Sequence, residues 1–404
     1  MGVAFSPRVP ADAAPAPAAG RVRVAALVDY YLPGYKAGGA IRTLGNMAAQ
    51  LAGELDLSVI TRDRDFGDAE PYPRIVAGGW TPVEGALVRY LGPGERTHRY
   101  VAEALRTARP DVLYLNSLYS PQFSLQPLLL HRMGRVPRVP VVVAPRGELA
   151  PGALTFKRAK KLAFLRMARM TGLYRGVLWQ ASSELEADEV RRWFGAGVRV
   201  LVAPDLRERP AAAHPPAPKR PGELRVMFLG RIAPNKNVTG ALEMLAGVRG
   251  DVRFSIYGPV DSQETWEACR ARIASLPANV RVEYGGVLPR EAVPGALASH
   301  HLFLFPTLGE NFGHAVLEAL LAGLPVLTSD RTSWSGLEPA GAGWTLPLEQ
   351  PERFGAVLQA YADLDGDEHA HRSAAARAYG ESAARDESVL EANRALFRAA
   401  VQGR

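Results

Sequence analysis

The sequence predicts an α/β fold of two doubly wound domains facing across a cleft. Three observations predict it. Apolar runs of strand length alternate with helical patterns along nearly the whole chain, which implies mostly parallel sheets covered on both faces. A Pro/Ala-rich stretch, PDLRERPAAAHPPAPKRPG, residues 204–222, interrupts that alternation. A chain of 404 residues is also too long for one ordinary core and suits two.

The elements follow in order. Residues 1–20, MGVAFSPRVPADAAPAPAAG, are Ala/Pro-biased and lack both a charged n-region and an apolar h-region, so they read as a disordered tail and not a signal peptide. The first domain, 21–204, offers strands at Val22 to Val28, Leu57 to Ile60, Ala86 to Leu91, Val112 to Asn116, Val139 to Ala144, Val177 to Gln180 and Val198 to Val202. Helical segments include Ile41 to Gly53, Thr97 to Ala108 and Glu184 to Phe194. Residues 205–222 are the expected linker. In the second domain, 223–385, the alternation restarts: strand Leu224 to Leu229, a helix from Asn237, strand Arg253 to Tyr257, helix Thr265 to Ser275, strand Val280 to Glu283, helix Arg290 to Ala298 and strand Leu302 to Phe305. The tail from Asp367 is helical. Doubly wound domains bind ligands at the carboxyl ends of their strands.

Composition excludes several classes. Hydrophobic content of 47% with 22% charged residues is that of a globular protein. A single cysteine, Cys269, excludes a disulfide framework and a cysteine-rich metal site, and fits a reducing cytoplasm. There is no apolar run long enough for a transmembrane helix. The net charge of +7 suits anionic ligands such as nucleotide diphosphates or anionic lipid, or is simply a basic surface. No zinc finger, RNA-binding aromatic motif or basic repeat is present, so nucleic acid is not an expected partner. Residues 157–175, KRAKKLAFLRMARMTGLYR, hold seven basic and no acidic residues. They read either as a solvated helix face or as a peripheral contact with an anionic membrane.

The most informative stretch is FLFPTLGENFGHAVLEALLAGLPVLTSD, residues 303–330. It reads as strand, short polar loop, helix and strand. The loop Glu310-Asn311-Phe312-Gly313-His314 opens the helix, whose first amides and positive dipole end suit a phosphate or sugar hydroxyl. Gly313 permits close backbone approach. Glu318 lies one turn further on, placed to accept hydrogen bonds from a diol such as a ribose. Upstream, Arg231 and Lys236 follow the strand that ends at Gly230. Two cations there suit the charge that grows on a departing diphosphate; the plain alternative is a solvated loop.

These motifs together resemble retaining, nucleotide-sugar-dependent GT-B glycosyltransferases of family 4. The loop-helix stretch resembles that family's E-x7-E signature. GRIAPNKN (230–237) is similar to its phosphate-binding segment and YKAGGAIRT (35–43) to its N-terminal glycine-rich loop. TRDRDFGD, NSLYSPQFS, APRGELAPGAL and SDRTSW resemble a bacterial subgroup that builds cell-surface polysaccharides. The resemblance covers nearly everything from about Arg21 onward. It implies two Rossmann-like domains, a UDP- or GDP-linked sugar as donor, a glycan or polyprenyl-linked acceptor, and envelope or exopolysaccharide assembly at the inner face of the cell membrane. It implies that Glu310 contacts the donor sugar, that Glu318 holds the ribose, and that Arg231 and Lys236 stabilise the leaving group without a metal or other cofactor. It also implies a front-face mechanism in which the departing phosphate oxygen helps deprotonate the acceptor. The helix in 386–404 is expected to cross back to the first domain.

Other residues carry open readings. Gly38 and Gly39 precede a helix and suit approach to the donor phosphate, with Arg42 adding charge; a turn is the plain reading. Arg146, with Gly147 and Glu148, stands where many family members have His-Gly. Arg146 cannot act as a base, so it either binds an anionic group on the acceptor side or packs structurally. His314 either packs at the helix start or touches the sugar. Asp63-Arg64-Asp65 imitates a metal motif but is not expected to bind a metal; it reads as a structural or acceptor-side loop. His300 and His301 precede a buried strand and point to opposite faces, which excludes easy chelation. No G-x-G-x-x-G follows the first strand, which argues against a dehydrogenase. An epimerase or phosphorylase of the same fold, the latter needing a pyridoxal-phosphate lysine, and a non-catalytic nucleotide-sugar-binding scaffold are the alternatives.

Overall fold

The computed structural model describes residues 20–73, 75, 78–155, 157–210 and 214–403. Nearly all of the expected tail, residues 211–213 of the expected linker and Phe156 beside the basic segment lie outside them. Two units divide the chain: Met1–Leu206 with Glu387–Arg404, and Arg207–Asp386.

The first unit runs β1 (Val22–Leu27), α1 (Gly39–Gln50), β2 (Leu55–Arg62), β3 (Trp80–Val83), β4 (Ala86–Leu91), α2 (His98–Ala108), β5 (Val112–Leu115), α3 (Gln126–Arg132), β6 (Val141–Val143), α4 (Pro151–Thr155), α5 (Arg158–Met170), β7 (Leu178–Ala181), α6 (Glu184–Phe194) and β8 (Arg199–Val202). Its sheet has the order β3-β4-β2-β1-β5-β6-β7-β8. All pairs are parallel except β3 with β4. Val24 and Ala26 enter one core layer while Ala25 and Leu27 enter the other, the period-two alternation of a strand buried on both faces. Strand β3 departs from the sequence reading. It contains Pro82, which argues against a strand in the interior of a sheet, and it is tolerated because β3 is the edge. Glu84 and Gly85, at φ 40° and 85°, make the tight turn into β4.

The second unit runs β9 (Glu223–Leu229), α7 (Val238–Leu245), β10 (Asp251–Tyr257), α8 (Gln263–Ala274), β11 (Val280–Tyr284), α9 (Val293–Ala298), β12 (Leu302–Phe305), α10 (His314–Leu321), β13 (Val326–Ser329), β14 (Gly343–Leu346), α11 (Pro351–Asp363) and α12 (Gly366–Ala384). The sheet order is β11-β10-β9-β12-β13-β14, all parallel. The chain winds outward from β9 through β10 to β11, then returns to β12 on the other side of β9. That reversal is the topological switch point where ligands bind in such sheets. One core joins both faces, with Val226, Phe228, Phe254, Phe303 and Phe305 buried.

The last helix, α13 (Glu387–Gln402), belongs to the first unit. Val389, Leu396, Phe397 and Ala400 join that unit's core, and Phe397 meets Tyr114 edge-on at 5.4 Å. The stretch expected as a linker is partly structural. Ala217 and Lys219 are buried, and the Lys219 ammonium donates to the carbonyls of Arg220, Glu223, Ala362 and Leu364 at 2.8–3.2 Å. An ammonium that leaves water needs such acceptors, so this segment is anchored to the second unit.

Candidate functional site

The site of the second unit is built from the two loops at the β9/β12 switch point. Gly230 closes β9, and its amide donates to Tyr257 O at 2.9 Å. A turn at Pro234–Lys236 follows, then Asn237 in the left-handed region at φ 52°. Three hydrogen bonds join this loop to the one after β12. Asn237 Nδ2 donates to Pro306 O at 3.0 Å, Thr307 Oγ1 to Asn235 O at 2.8 Å and Leu308 N to Asn235 O at 2.7 Å. Lys236 Nζ also pairs with Glu310 Oε2 and lies 5.3 Å from the centre of the Phe305 ring. A third loop joins in: Glu310 N donates to Arg331 O at 3.1 Å, and Arg331 follows β13.

The loop Glu310–His314 then turns into α10. Phe312 is buried beneath it, 5.2 Å from Trp334 and 5.0 Å from His314 between ring centroids. Trp334 Nε1 donates to Phe312 O at 2.6 Å. Gly313 caps the helix at φ 79°; a Cβ there would meet Glu310 Cγ at 3.2 Å and Trp334 Nε1 at 3.3 Å. Only glycine takes that backbone without strain. His314 is buried at the helix start against Phe312. Glu318 is the fifth residue of the helix and half-buried. The first turn of α10 and its dipole thus open beside Lys236 and Glu310.

Both candidate cations are paired with carboxylates. Arg231 bonds Asp261 Oδ2 at 2.9 Å, with the side chains 36% and 29% exposed. The Lys236/Glu310 pair is more enclosed, at 11% and 19%. The more exposed pair is the cheaper one for an incoming anion to open, because water already screens it.

Gly38, Gly39 and Arg42 lie in the first unit. Gly38 caps α1 at φ 92° and Gly39 begins the helix. Arg42 is half-buried one turn along. Arg146 is the clearest departure from the acceptor-side expectation. Its backbone is left-handed at φ 55°. Its guanidinium is spent on Asp205, on Asn116 Oδ1 at 2.7 Å and on the Tyr114 hydroxyl at 2.5 Å. A charge this enclosed is held by partners, so of the two readings left open the structure supplies the packing one. Glu148 accepts from Ser117 Oγ at 2.9 Å and from Leu118 N at 2.5 Å. Burial pushes its carboxyl up to about 7, against those hydrogen bonds and Lys161. Asp63 is held by Arg64 at 2.9 Å, and Asp65 accepts from the amides of Tyr35, Lys36 and Phe66 at 2.7–3.2 Å. Both are structural carboxylates. His300 Nε2 meets Ser255 Oγ at 2.9 Å, while His301 accepts from Arg225 N at 3.0 Å, so the two rings do serve different neighbours.

Sequence reasoning missed Asp261, Arg207 and Trp334. Asp261 and Arg207 act through contacts between distant segments, which no local pattern announces. Trp334 stood inside SDRTSW, five residues past β13, and that motif was the available signal.

Residues 211–377 match the model of glycosyl transferases group 1. A phosphatidyl-myo-inositol mannosyltransferase of Mycobacterium tuberculosis is 27% identical over 297 residues, 70% of each chain. A 2-deoxystreptamine N-acetyl-D-glucosaminyltransferase of Niallia circulans is 31% identical over 112 residues, 27% of this chain and 28% of its own. A 2-deoxystreptamine glucosyltransferase of Streptomyces kanamyceticus is 29% identical over 147 residues, 33% of this chain and 37% of its own. The matched part thus spans well under half of these last two relatives. Among solved structures, Anabaena HepE in complex with UDP and glucose aligns with a TM-score of 0.67 at 17% identity, over 94% of this chain and 99% of that one. Sucrose-phosphate synthase from Thermosynechococcus elongatus aligns at 0.68 and 15% identity, over 95% and 100%. These likenesses carry the fold, GT-B, with two Rossmann-like α/β units.

Proposed function

We propose that this protein is a retaining glycosyltransferase. It takes a UDP- or GDP-linked sugar at the β9/β12 switch point and transfers the sugar to a glycan or polyprenyl-linked acceptor in envelope or exopolysaccharide synthesis. The observation that carries the reading is the juncture of the loops 230–237 and 306–314, where Lys236 meets Glu310 at the mouth of α10. The family match over 211–377 covers this region, and the named activities of the relatives are sugar transfers.

In this reading the diphosphate displaces the carboxylates from Arg231 and Lys236. The two cations then face the charge that develops on the leaving group, and preorganised charge of this kind supplies a large part of catalysis. Glu310, released from Lys236, accepts hydrogen bonds from sugar hydroxyls. Glu318 receives the ribose diol. Asn311, Phe312, Gly313 and Gly230 shape the backbone around the donor. Departure of the phosphate oxygen on the acceptor's face gives retention. In this reading the leaving group relies on side-chain cations, and activity should survive a chelator.

The acceptor reading includes a peripheral membrane contact. Lys157, Arg158, Lys160, Arg166, Arg169 and Arg175 are exposed on and beside α5, as are Met167 and Met170. Among the described residues no helix is long and apolar enough to cross a membrane. The deciding experiment is a panel of nucleotide sugars in thermal shift, followed by donor hydrolysis with the best binder. Binding raises stability by mass action. No shift with any UDP- or GDP-sugar overturns the reading, and binding without hydrolysis or transfer makes the protein a non-catalytic donor binder.

A further inference from the structure

The floor of the donor loop is connected to both ends of its own unit through one side chain. Arg207 is the first residue of the second unit and Asp386 the last. The Arg207 guanidinium donates to Ala383 O in the final turn of α12, and its Nη1 lies 3.5 Å from Asp386 Oδ2. Its Cζ also sits 5.4 Å from the centre of the Phe312 ring. Capping the carboxyl end of α12 accounts for the first two contacts, since a cation there complements the helix dipole. It does not account for the third. A flexible cation serves a helix end without an aromatic face, and a guanidinium placed over a ring gains from its planarity.

Phe312 is the residue through which such a contact reaches the site. It follows Glu310 by two residues and directly precedes Gly313, whose left-handed backbone starts α10. Its carbonyl is held by Trp334 Nε1 at 2.6 Å, and Trp334 lies 6.4 Å from Tyr379 of α12. Phe312 therefore cannot shift without moving the Glu310 carboxylate or the helix start.

We propose that Arg207 is a positioning residue for the donor loop, acting through Phe312, and that it ties donor occupancy to the two points where the chain passes between units. The assignment rests on the donor reading of that loop. Because coupling is reciprocal, what nucleotide does to the crossings, the crossings do to nucleotide affinity.

The test uses the full chain with UDP and GDP as probes. Binding is followed by calorimetry, and backbone hydrogen exchange is followed at residues 383–389 with and without nucleotide. Arg207→Met keeps the stem and removes the charge and plane. It should weaken nucleotide binding and raise the donor KM by about five- to tenfold, with kcat at saturating donor within about twofold. Nucleotide should protect residues 383–389 in the wild type and not in the variant, and Arg207→Lys should restore part of both effects. Should Arg207→Met fail to fold, Phe312→Leu breaks the same link from the other end, leaves the cap on α12 in place, and should also abolish the protection. Unchanged KM and undiminished protection in either variant overturn the role of Arg207. A wild-type protein that binds neither nucleotide sinks the donor reading itself, and the role of Arg207 with it.

Discussion

Lys236 and Glu310 form an ion pair that joins the loop after β9 to the loop after β12. Under the proposed function, the pair would keep the cation in place for a diphosphate and the carboxylate in place for a sugar. Replacing Lys236 with Ala removes a positioned cation and leaves Glu310 unpaired and repelling phosphate. Nucleoside diphosphate binding should weaken sharply, and turnover should fall by about a hundredfold or more. Arg231→Ala should cut turnover by a similar order, with a smaller effect on stability because its pair is more exposed. Full activity in both variants removes these residues from the site.

Asp261 holds Arg231 where a phosphate is expected. Exposed pairs of this kind are worth about 0–1 kcal/mol. Asp261→Asn should therefore raise nucleoside diphosphate affinity by up to about fivefold. Weaker binding in this variant would instead make Asp261 part of the donor contact.

Gly313→Ala forces a side chain into a left-handed position with Glu310 Cγ and Trp334 Nε1 within 3.3 Å. We expect a loss of roughly 1–2 kcal/mol in denaturant titration, together with a raised donor KM. Wild-type stability in the variant would mean that the helix start relaxes freely.

Acid should act in opposite directions on two buried histidines of the second unit and two buried glutamates of the first. In the second unit, burial pushes His301 down to about 3 and His369 down to about 4. His369 Nδ1 meets the Tyr361 hydroxyl at 2.9 Å, and the two histidine rings lie 5.2 Å apart. Lys219 and Arg225 add positive charge that disfavours protonation further. Their folded pKa values lie below the unfolded one near 6.5, so the unfolded chain binds more protons between about 6.5 and 4. Stability is lost as pH falls through that window, by up to about 1.4 kcal/mol per pH unit for each histidine. In the first unit, burial raises Glu148 and Glu189 to about 7. Those folded carboxyls bind protons before the unfolded ones do, so they add stability as pH falls from about 7 toward their unfolded values. Calorimetry from pH 7 to 4.5 should show the second unit's transition moving down against the first's, and His369→Gln should shrink the gap.

Anionic vesicles should bind the protein at low salt and release it as salt rises, because each basic residue near such a surface contributes on the order of 1 kcal/mol. Lys157, Lys160 and Arg166 are the residues to replace with Gln. Lys161 is not, since its ammonium donates to Ala153 O at 2.6 Å and sits over the Tyr119 ring. Indifference to anionic vesicles at low salt would make α5 a solvated face.

Much of this architecture was legible because buried parallel strands are nearly continuous apolar runs. LFLF at 302–305 and ALVRYL at 86–91 were delimited to the residue. Strands β3 and β14 were not, the one broken by Pro82 and the other opened by Gly343, both at sheet edges where packing overrides local preference. The helix Pro351–Asp363 also went unassigned. In the candidate site, the residues of GENFGH and GRIAPNKN could be singled out because helix starts and strand ends have local chemistry. That Lys236 reaches Glu310, that Asp261 occupies Arg231 and that Asp205 consumes Arg146 are consequences of strand order. Strand order is a long-range property that no window of sequence contains.

The placement of α13 sets an order of events during synthesis. The first unit's core includes Val389, Leu396, Phe397 and Ala400, and Asn393 Nδ2 bonds Pro204 O at 2.8 Å. Those residues follow every other element of the first unit. The first unit is therefore completed after the second, which is continuous from Arg207 to Asp386 and has all of its residues available earlier. A nascent chain stalled before residue 387 would leave Tyr114 without its Phe397 partner. Docking of α13 is the step that closes the first unit's core.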